Sequence, residues 1–340
     1  MKKICLLVSV LISGILINAQ KLDSIRFFLD EQLIQMDLTT DIKSLQSQKG
    51  EPVFIPGTVR MTLPDGSVYN EEIRVAPRGV NRRQTCKVPP MKLDFRANPS
   101  SPLASLGKLK LVLGCGTNSA DEELLLKEYI CYKLYNLLDE RSFRVRLMKV
   151  NYSDTKGRVR NYAQYSFLIE DDADMARRNN CKKKSVHPAY SQEATDRNLM
   201  TMVSLFQYMI GNTDWAVPNN HNIELIWPKE NDAALPYAIA YDFDFSGLVD
   251  AGYAVPSEVI GTEKVTERVY RGFPRTMEEL QLCLDVFRSK KEEMIKLING
   301  FELLSAKTRR NMTEYLDEFF SIINNRKQVQ DIFIDNARTK

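Results

Sequence analysis

GNTDWAVPNNHNIELIW (211–227) and YAIAYDFDFSG (237–247) are two segments in which polar residues flank short apolar runs. In the first segment, Asp214 lies in a polar loop and Asn222 stands directly before an apolar run. In the second, an apolar strand ends in Asp242 and Asp244, which alternation places on one face. Two carboxylates about 7 Å apart repel each other unless a cation is near, and hard divalent ions prefer oxygen ligands. The two segments therefore predict a Mg²⁺ site.

Length and charge limit the possible architectures and partners. A chain of 340 residues with 44% apolar content is longer than one core usually holds, which predicts two lobes that share a cleft. The formal net charge of +3 is small. This balance argues against nucleic acid as the main partner, although it does not exclude a local basic patch.

The N-terminus has the pattern of a secretory signal. Lys2 and Lys3 precede an apolar run over 4–17, and Asn18-Ala19-Gln20 follows. This pattern predicts a signal peptide over 1–19 with cleavage after Ala19. A retained membrane anchor is the alternative, but the run is short for a bilayer, and no later segment is apolar enough to span one. We therefore expect an exported protein that is periplasmic, on the cell surface or secreted.

The cysteines after the signal indicate a disulfide rather than a metal site. No CxxC pair occurs and the chain has 2 histidines, so a structural zinc site is not expected. In an exported protein Cys86 and Cys115 could pair, because each lies next to a predicted strand. Cys131 falls on an apolar helical face, which is typical of core packing.

The secondary-structure pattern changes twice along the chain. We predict a helical segment within 20–50, because apolar residues recur at helical spacing from Leu22 to Gln46. A β-rich region with one helix is expected over 51–170, and a helical region that carries the polar motifs over 171–340. The individual predictions are a hairpin over 53–63 and 68–75, strands at MKLDF (91–95), KLKLVL (108–113), 143–150 and 162–169, a helix over 122–138, and helices from 277 to the C-terminus.

This order of parts resembles the protein-kinase-like fold, and the chain is similar to the spore-coat CotH kinase family, with a weaker likeness to HipA-type and Fam20-type kinases. The resemblance implies an α+β, bilobal protein-kinase-like fold with a β-rich N-terminal lobe and a mainly helical C-terminal lobe. The similar segments are Arg78-Gly79 with MKLDF, Leu126-Lys127-Glu128-Tyr129, YAQYSFLIED (162–171), GNTDW with HNIELIW, and YDFDFSG, together spanning roughly 74–247.

The resemblance also implies catalytic roles. Lys92 would hold the nucleotide phosphates, and Glu128 would pair with it, because a lone buried charge is costly. Glu123 is the competitor for that pairing, and a solvated strand lysine and a surface helix glutamate are the alternatives. Asp214 would be the base or orienting group for the attacking hydroxyl, or else would merely cap its loop.

Metal and nucleotide ligands follow from the same resemblance. Asp242 would bind the metal, with an amide oxygen from Asn222, and Asp244 would either contact a second ion or tune the first. Asn219 is the reserve for Asn222, because it has the Asp-to-Asn spacing of protein kinases. His221 is interpreted as a structural histidine.

The chain has no GxGxxG loop, so the phosphate contacts are expected elsewhere. Arg78, Arg82 or Arg83 would supply them, unless these arginines form a solvated turn. Ile169 and Glu170 would offer backbone hydrogen bonds to an adenine ring.

The predicted function is that of an exported, atypical kinase-like phosphotransferase. It would move a phosphoryl group from ATP, with Mg²⁺ or Mn²⁺, to a hydroxyl on a protein or small molecule. ATP as the donor rests on the resemblance alone. A pseudokinase or surface scaffold and a metal-dependent hydrolase are the alternatives.

Overall fold

A computed structural model describes residues 21–79, 81–184, 190–231 and 233–337. The predicted signal peptide over 1–19 lies outside these residues. Within the described ranges, no helix is long and apolar enough to cross a membrane.

Seven strands form a closed barrel in the order β1-β2-β3-β4-β5-β7-β6. Neighbouring strands are antiparallel, except that β1 runs parallel to β6 and closes the ring. The strands are β1 Ile34–Thr40, β2 Ile55–Thr62, β3 Val68–Pro77, β4 Met91–Asp94, β5 Lys108–Leu113, β6 Val145–Asp154 and β7 Tyr162–Ile169.

The closed barrel shows that the predicted fold class is wrong. The chain combines a seven-stranded mixed barrel with a small sheet and helices, and it is not a bilobal kinase-like fold with a helical C-terminal lobe. The correction begins at β1, which lies in the segment predicted to be helical. Ile34, Met36 and Leu38 are buried at alternate positions, which is the period of a strand. The N-terminal segment is therefore part of the barrel.

Several local predictions are confirmed. The hairpin consists of β2 and β3, with a turn at Pro64-Asp65-Gly66 in which Gly66 adopts a φ of 86° that favours glycine. MKLDF and KLKLVL form β4 and β5, and 162–169 is β7.

The helices concentrate in the second half of the chain. They are α1 Ser24–Phe27, α2 Ile42–Ser47, α3 Asn81–Thr85, α4 Ser119–Leu138, α5 Asp172–Arg178, α6 Arg197–Met209, α7 Met277–Asn299, α8 Ala306–Ile323 and α9 Arg326–Gln330. The prediction that the chain is helical from Met277 onward is confirmed. A separate three-stranded sheet has the order β10-β9-β8, where β8 is Cys181–Lys182, β9 is Ile223–Pro228 and β10 is Tyr237–Ala240.

Helix α4 joins the barrel to the helical region. Asn118 caps its first turn by accepting a hydrogen bond from the backbone N–H of Asp121 at 2.9 Å. The helix packs against β5, β6 and β7 on one side and against α7 on the other. Glu128 and Tyr132 are buried on this helix, so α4 carries polar groups into the interior between the two parts.

The predicted disulfide between Cys86 and Cys115 is confirmed. It connects the residue after α3 to the loop after β5, and the Lys87 N–H donates to the Cys115 carbonyl at 3.0 Å beside it. Cys131, Cys181 and Cys283 are buried free thiols. The bond therefore ties α3 to the barrel.

Replacing both bonded cysteines in a Cys86→Ser/Cys115→Ser variant is expected to lower the free energy of unfolding by about 3 to 4 kcal/mol, because the unfolded chain gains conformational freedom. Denaturant unfolding of both proteins measures this difference. A reductant should destabilise the wild type and leave the variant unchanged. Equal unfolding midpoints for the two proteins without reductant would contradict the prediction.

Candidate functional site

The hairpin of β9 and β10 brings the two polar segments together. Its antiparallel register pairs Ile223 with Ala240, so Asn222 directly before β9 lies beside Tyr241 directly after β10. The Tyr241 N–H donates to the Asn222 carbonyl at 3.1 Å. The metal-ligand candidates Asn222 and Asp242 therefore lie at the same end of this hairpin.

Asp214 is held by two neighbouring side chains. The Asn222 amide nitrogen donates two hydrogen bonds to Asp214. One goes to the backbone carbonyl of Asp214 at 2.7 Å and the other to its side-chain Oδ2 at 3.1 Å. His221 Nε2 lies 2.7 Å from Asp214 Oδ1. The Asp214 side chain is still 38% exposed. Its carboxylate thus has a fixed orientation and remains accessible, as a group that positions a substrate hydroxyl must be.

The loop geometry separates Asn222 from its competitor Asn219. Asn222 is buried, and its amide oxygen accepts no hydrogen bond from the described residues. Asn219 is exposed, and its side chain accepts from the His221 N–H at 3.3 Å. Asn222 is therefore better placed than Asn219 to offer an oxygen beside Asp214.

The prediction that Asp242 and Asp244 share a strand face is wrong, because β10 ends at Ala240 and Asp242 has a left-handed φ of 64°. Phe243 instead packs between the rings of Tyr132 and Phe206, with ring centroids 4.7 and 5.4 Å away. The turn still keeps the two carboxylates close enough for Asp242 to raise the pKa of Asp244.

Asp244 is the more enclosed of these two carboxylates. It is 5% exposed and accepts a hydrogen bond from the Tyr253 hydroxyl at 3.0 Å. Arg82 Nη1 lies 3.8 Å from Asp244 Oδ2. Burial, reinforced by Asp242, raises the pKa of Asp244 to about 6 despite Arg82.

Glu128 belongs to the same cluster, so its alternative as a surface residue is wrong. It is 2% exposed, and its Oε1 has no hydrogen-bond partner among the described residues. Burial raises the pKa of Glu128 well above its usual range, and the negative charges of the nearby Asp244 and Asp242 add to this shift. Its competitor Glu123 instead accepts a hydrogen bond from Thr308 on α8.

The cations around Glu128 differ from those the resemblance implies. Lys92 and Glu128 both lie within the described residues, and they form no ion pair with each other. The positive charges that favour the ionised form of Glu128 belong to Arg82 and, to a smaller extent, to Arg78. The Arg82 guanidinium also donates to the Leu113 carbonyl. Arg83 donates to the carbonyls of Gly79 and Gly50, so it braces the loop.

Lys110 is a site residue that the sequence analysis missed. It stands opposite Lys92 in the β4–β5 register, so both side chains share a face. Its ammonium lies 4.6 Å from the centre of the Tyr241 ring. Burial and the neighbouring Arg78 lower the pKa of Lys110, whereas Asp242 opposes this shift. The available signal was a lysine between leucines inside a predicted strand.

Ile169 and Glu170 are integrated into the scaffold. Ile169 is paired in register with Lys110 on one side and with Val145 on the other. The Glu170 N–H donates to the Arg144 carbonyl at 3.0 Å, and its carboxylate accepts from Arg178 at 2.8 and 3.0 Å. Ile169 and the Glu170 N–H are therefore already engaged within the scaffold.

The donor set is compatible with Mg²⁺. Within the described part of the chain, no group of three or more His, Cys, Asp or Glu residues is arranged to hold a metal ion. Mg²⁺ needs fewer protein ligands, because it commonly binds one or two carboxylates and completes its shell with water and phosphate oxygens. Asp242, Asp244 and the unpartnered amide oxygen of Asn222 meet that requirement.

Comparison of the sequence with protein-family models and with curated proteins found no match.

Tyr132 anchors the turn that contains Asp242. Its hydroxyl accepts a hydrogen bond from the Asp242 N–H at 2.9 Å. A Tyr132→Phe variant leaves this N–H without its partner and is expected to lose about 1 to 3 kcal/mol of unfolding free energy. Denaturant unfolding measures the loss. Tyr270→Phe is the matched control, because that buried hydroxyl has no hydrogen-bond partner in the described ranges. Equal stabilities of the two variants would contradict the role of Tyr132.

Proposed function

We propose that the protein is an exported, metal-dependent phosphotransferase that moves a phosphoryl group from ATP to a hydroxyl on a protein or small molecule. The observation that carries the proposal is the convergence of an oriented Asp214, an amide oxygen on Asn222 and a carboxylate cluster beside buried cations. The likeness to CotH kinase motifs supports the same chemistry. The disulfide supports export, because such bonds persist in oxidising compartments.

Asp214 would orient the acceptor hydroxyl and accept its proton. Phosphoryl transfer depends mainly on positioning and charge stabilisation, so a carboxylate near the nucleophile is valuable even when it binds no metal. A cavity of about 220 Å³ adjoins Asp214 and is also lined by Thr213 and Phe245. This cavity offers room for the acceptor group beside the carboxylate.

Asn222, Asp242 and Asp244 would hold the metal ion. When bound, Mg²⁺ would neutralise charge on the phosphate oxygens. The buried Glu128, whose Oε1 has no described partner, would lie close to this ion and feel its charge. The carboxylates are costly to keep together without added positive charge, which supports a cationic ligand at this point.

Arg78, Arg82, Lys92 and Lys110 would contact the phosphates of the donor. Guanidinium groups suit phosphate oxygens because they donate in a fixed planar fork, whereas lysine acts as a point charge. Lys92 and Lys110 face the same side of the barrel wall, and Arg78 is close enough to Lys110 to lower its pKa. The four residues thus supply positive charge next to the carboxylates.

A second candidate function is ligand binding without turnover. Arg82 Nη1 lies 3.8 Å from Asp244, so a protein cation already occupies part of the space where a metal would balance that carboxylate. A scaffold with this arrangement would bind an anionic ligand through its arginines and would need no divalent ion.

Thermal melting and product analysis distinguish these functions. ATP with Mg²⁺ at about 100 times its Kd should stabilise the protein by about 2.7 kcal/mol. Incubation with hydroxyl-bearing acceptors should then yield ADP and phosphorylated acceptor. ADP formed at the same rate without acceptor would indicate a hydrolase. Stabilisation by ATP without Mg²⁺ and without ADP would indicate the binding function.

An Asp214→Ala variant is expected to keep its melting temperature and its ATP affinity, while phosphoryl transfer falls by about 10²- to 10⁴-fold through loss of the positioned base. Transfer assays and ATP titrations measure the two effects. Glu258→Ala is the matched control, because Glu258 is an exposed carboxylate on a nearby loop. Transfer at the wild-type rate in Asp214→Ala would refute the assigned role.

The two aspartates of the turn are expected to differ. Asp242→Asn should abolish the Mg²⁺ or Mn²⁺ dependence of nucleotide binding and turnover, whereas Asp244→Asn should only weaken it. The reason is that the motif resemblance assigns the metal position to Asp242. Metal titration in the presence of ATP measures both variants, with the exposed Asp250→Asn as control. Wild-type metal dependence in Asp242→Asn would refute the site, and greater damage from Asp244→Asn would exchange the two roles.

A further inference from the structure

A second charged feature lies away from the carboxylate cluster. A cavity of about 800 Å³ lies among α2, the segment that follows α3, and the turn between β6 and β7. Its described lining contains five cationic side chains and no acidic one. The cations are Lys43, Lys49, Lys87, Arg158 and Arg160.

Most of these cations have no carboxylate to balance them. Arg158 is paired with Asp41, which also binds Lys156 at 3.0 Å. Lys49 donates to the backbone carbonyl of Arg83. Lys43, Lys87 and Arg160 form no side-chain ion pair with any described residue. The cavity therefore carries a local excess of positive charge, although the net charge of the whole chain is only +3.

The cavity also has uncharged hydrogen-bonding groups and a fixed wall. The Gln46 amide donates to the Lys87 carbonyl at 2.7 Å, which ties α2 to the segment after α3. Cys86, bonded to Cys115, forms part of the same wall. The Tyr162 ring stacks on Tyr152 at 4.9 Å, and the buried Tyr162 hydroxyl has no described hydrogen-bond partner. The wall formed by α2 and the segment after α3 is thus held in place by the Gln46 contact and the disulfide.

We propose that this cavity binds a compact organic anion that carries several phosphate groups. Ligand pockets commonly enclose about 300 to 1,000 Å³, so the volume suits a small ligand. Lysine and arginine side chains around one concave space match several phosphate groups better than a single carboxylate. The cations surround a bounded hollow rather than a long stripe, which favours a compact ligand over a nucleic acid.

The inference does not depend on the proposed phosphotransferase activity. None of the cavity's lining residues belongs to the carboxylate cluster or to the cations beside it. Phosphoryl transfer can fail while the cavity still binds its ligand, and the reverse also holds.

Titration calorimetry with inorganic tripolyphosphate tests the proposal. EDTA is included so that no divalent ion recruits the probe to the carboxylates. The wild type is expected to bind one equivalent, more weakly as salt rises, because the side chains involved are exposed. The test variant is Lys43→Gln/Lys87→Gln/Arg160→Gln, which removes three cations whose side chains form no ion pair with other described residues. Its Kd should be at least about tenfold weaker, since each substitution removes a charge-assisted contact.

Two controls make the result specific. The variant Lys229→Gln/Arg326→Gln/Lys327→Gln changes the net charge equally at exposed positions outside the cavity and should bind like the wild type. Lys296→Gln, at an exposed position of α7 outside both charged sites, should also bind like the wild type. Unchanged binding in the cavity variant, or an equal loss in either control, would overturn the proposal. Equal melting temperatures exclude unfolding as the cause of a loss.

Discussion

The parallel pairing of β1 with β6 is the interaction on which the rest of the architecture depends. It runs from Ile34 opposite Met148 to Thr40 opposite Asp154 and turns an open sheet into a closed barrel. Without it, two strand edges would expose unpaired N–H and C=O groups. Helix α4 packs against β5, β6 and β7 of this barrel, and it carries Glu128 and the Tyr132 hydroxyl to the turn that follows β10. The barrel therefore supports the helix on which part of the carboxylate cluster lies.

Local patterns in the sequence predicted the elements that local physics controls. The β2–β3 hairpin has a turn that needs Gly66 at positive φ, and α4 has apolar residues at helical spacing. The strand β1 was missed for a physical reason. Apolar residues at helical spacing precede it, and they obscured the alternation of Ile34, Met36 and Leu38. Its partner β6 lies far along the chain, so no local pattern indicates that the two strands pair. Missing this strand concealed the closed barrel, which is one of the features that contradict the predicted fold class.

In the candidate site, too, contacts within one loop could be predicted from the sequence, whereas contacts between distant segments could not. Asp214 and Asn222 meet because both lie in the short polar loop that precedes β9, and such a local contact can be anticipated from the sequence. The cations could not be assigned in that way. The β4–β5 register places Lys110 beside Lys92, and the short helix α3 positions Arg82 near Asp244. Both facts depend on tertiary structure, so the motif resemblance, which pairs Lys92 with Glu128, gave no sign of Lys110 or of the contact between Arg82 and Asp244.

The two charged sites differ in what they cost the fold, and this difference bears on their function. Glu128 and Asp244 are buried carboxylates with raised pKa values, and removing such groups from water is unfavourable unless cations compensate them. Stability alone would favour apolar side chains there, and such departures are typical of functional sites, so the cluster supports the proposed function. The basic cavity has the opposite balance. Its exposed lysines remain hydrated and cost little, but their repulsion is not relieved by any acidic residue in the cavity lining. An anion from solution would relieve this repulsion, and its attraction to the cations is screened within about 10 Å at 0.1 M salt. Salt should therefore weaken binding at the cavity more than interactions within the carboxylate cluster, because the cavity's lysines are exposed whereas Glu128 and Asp244 are buried.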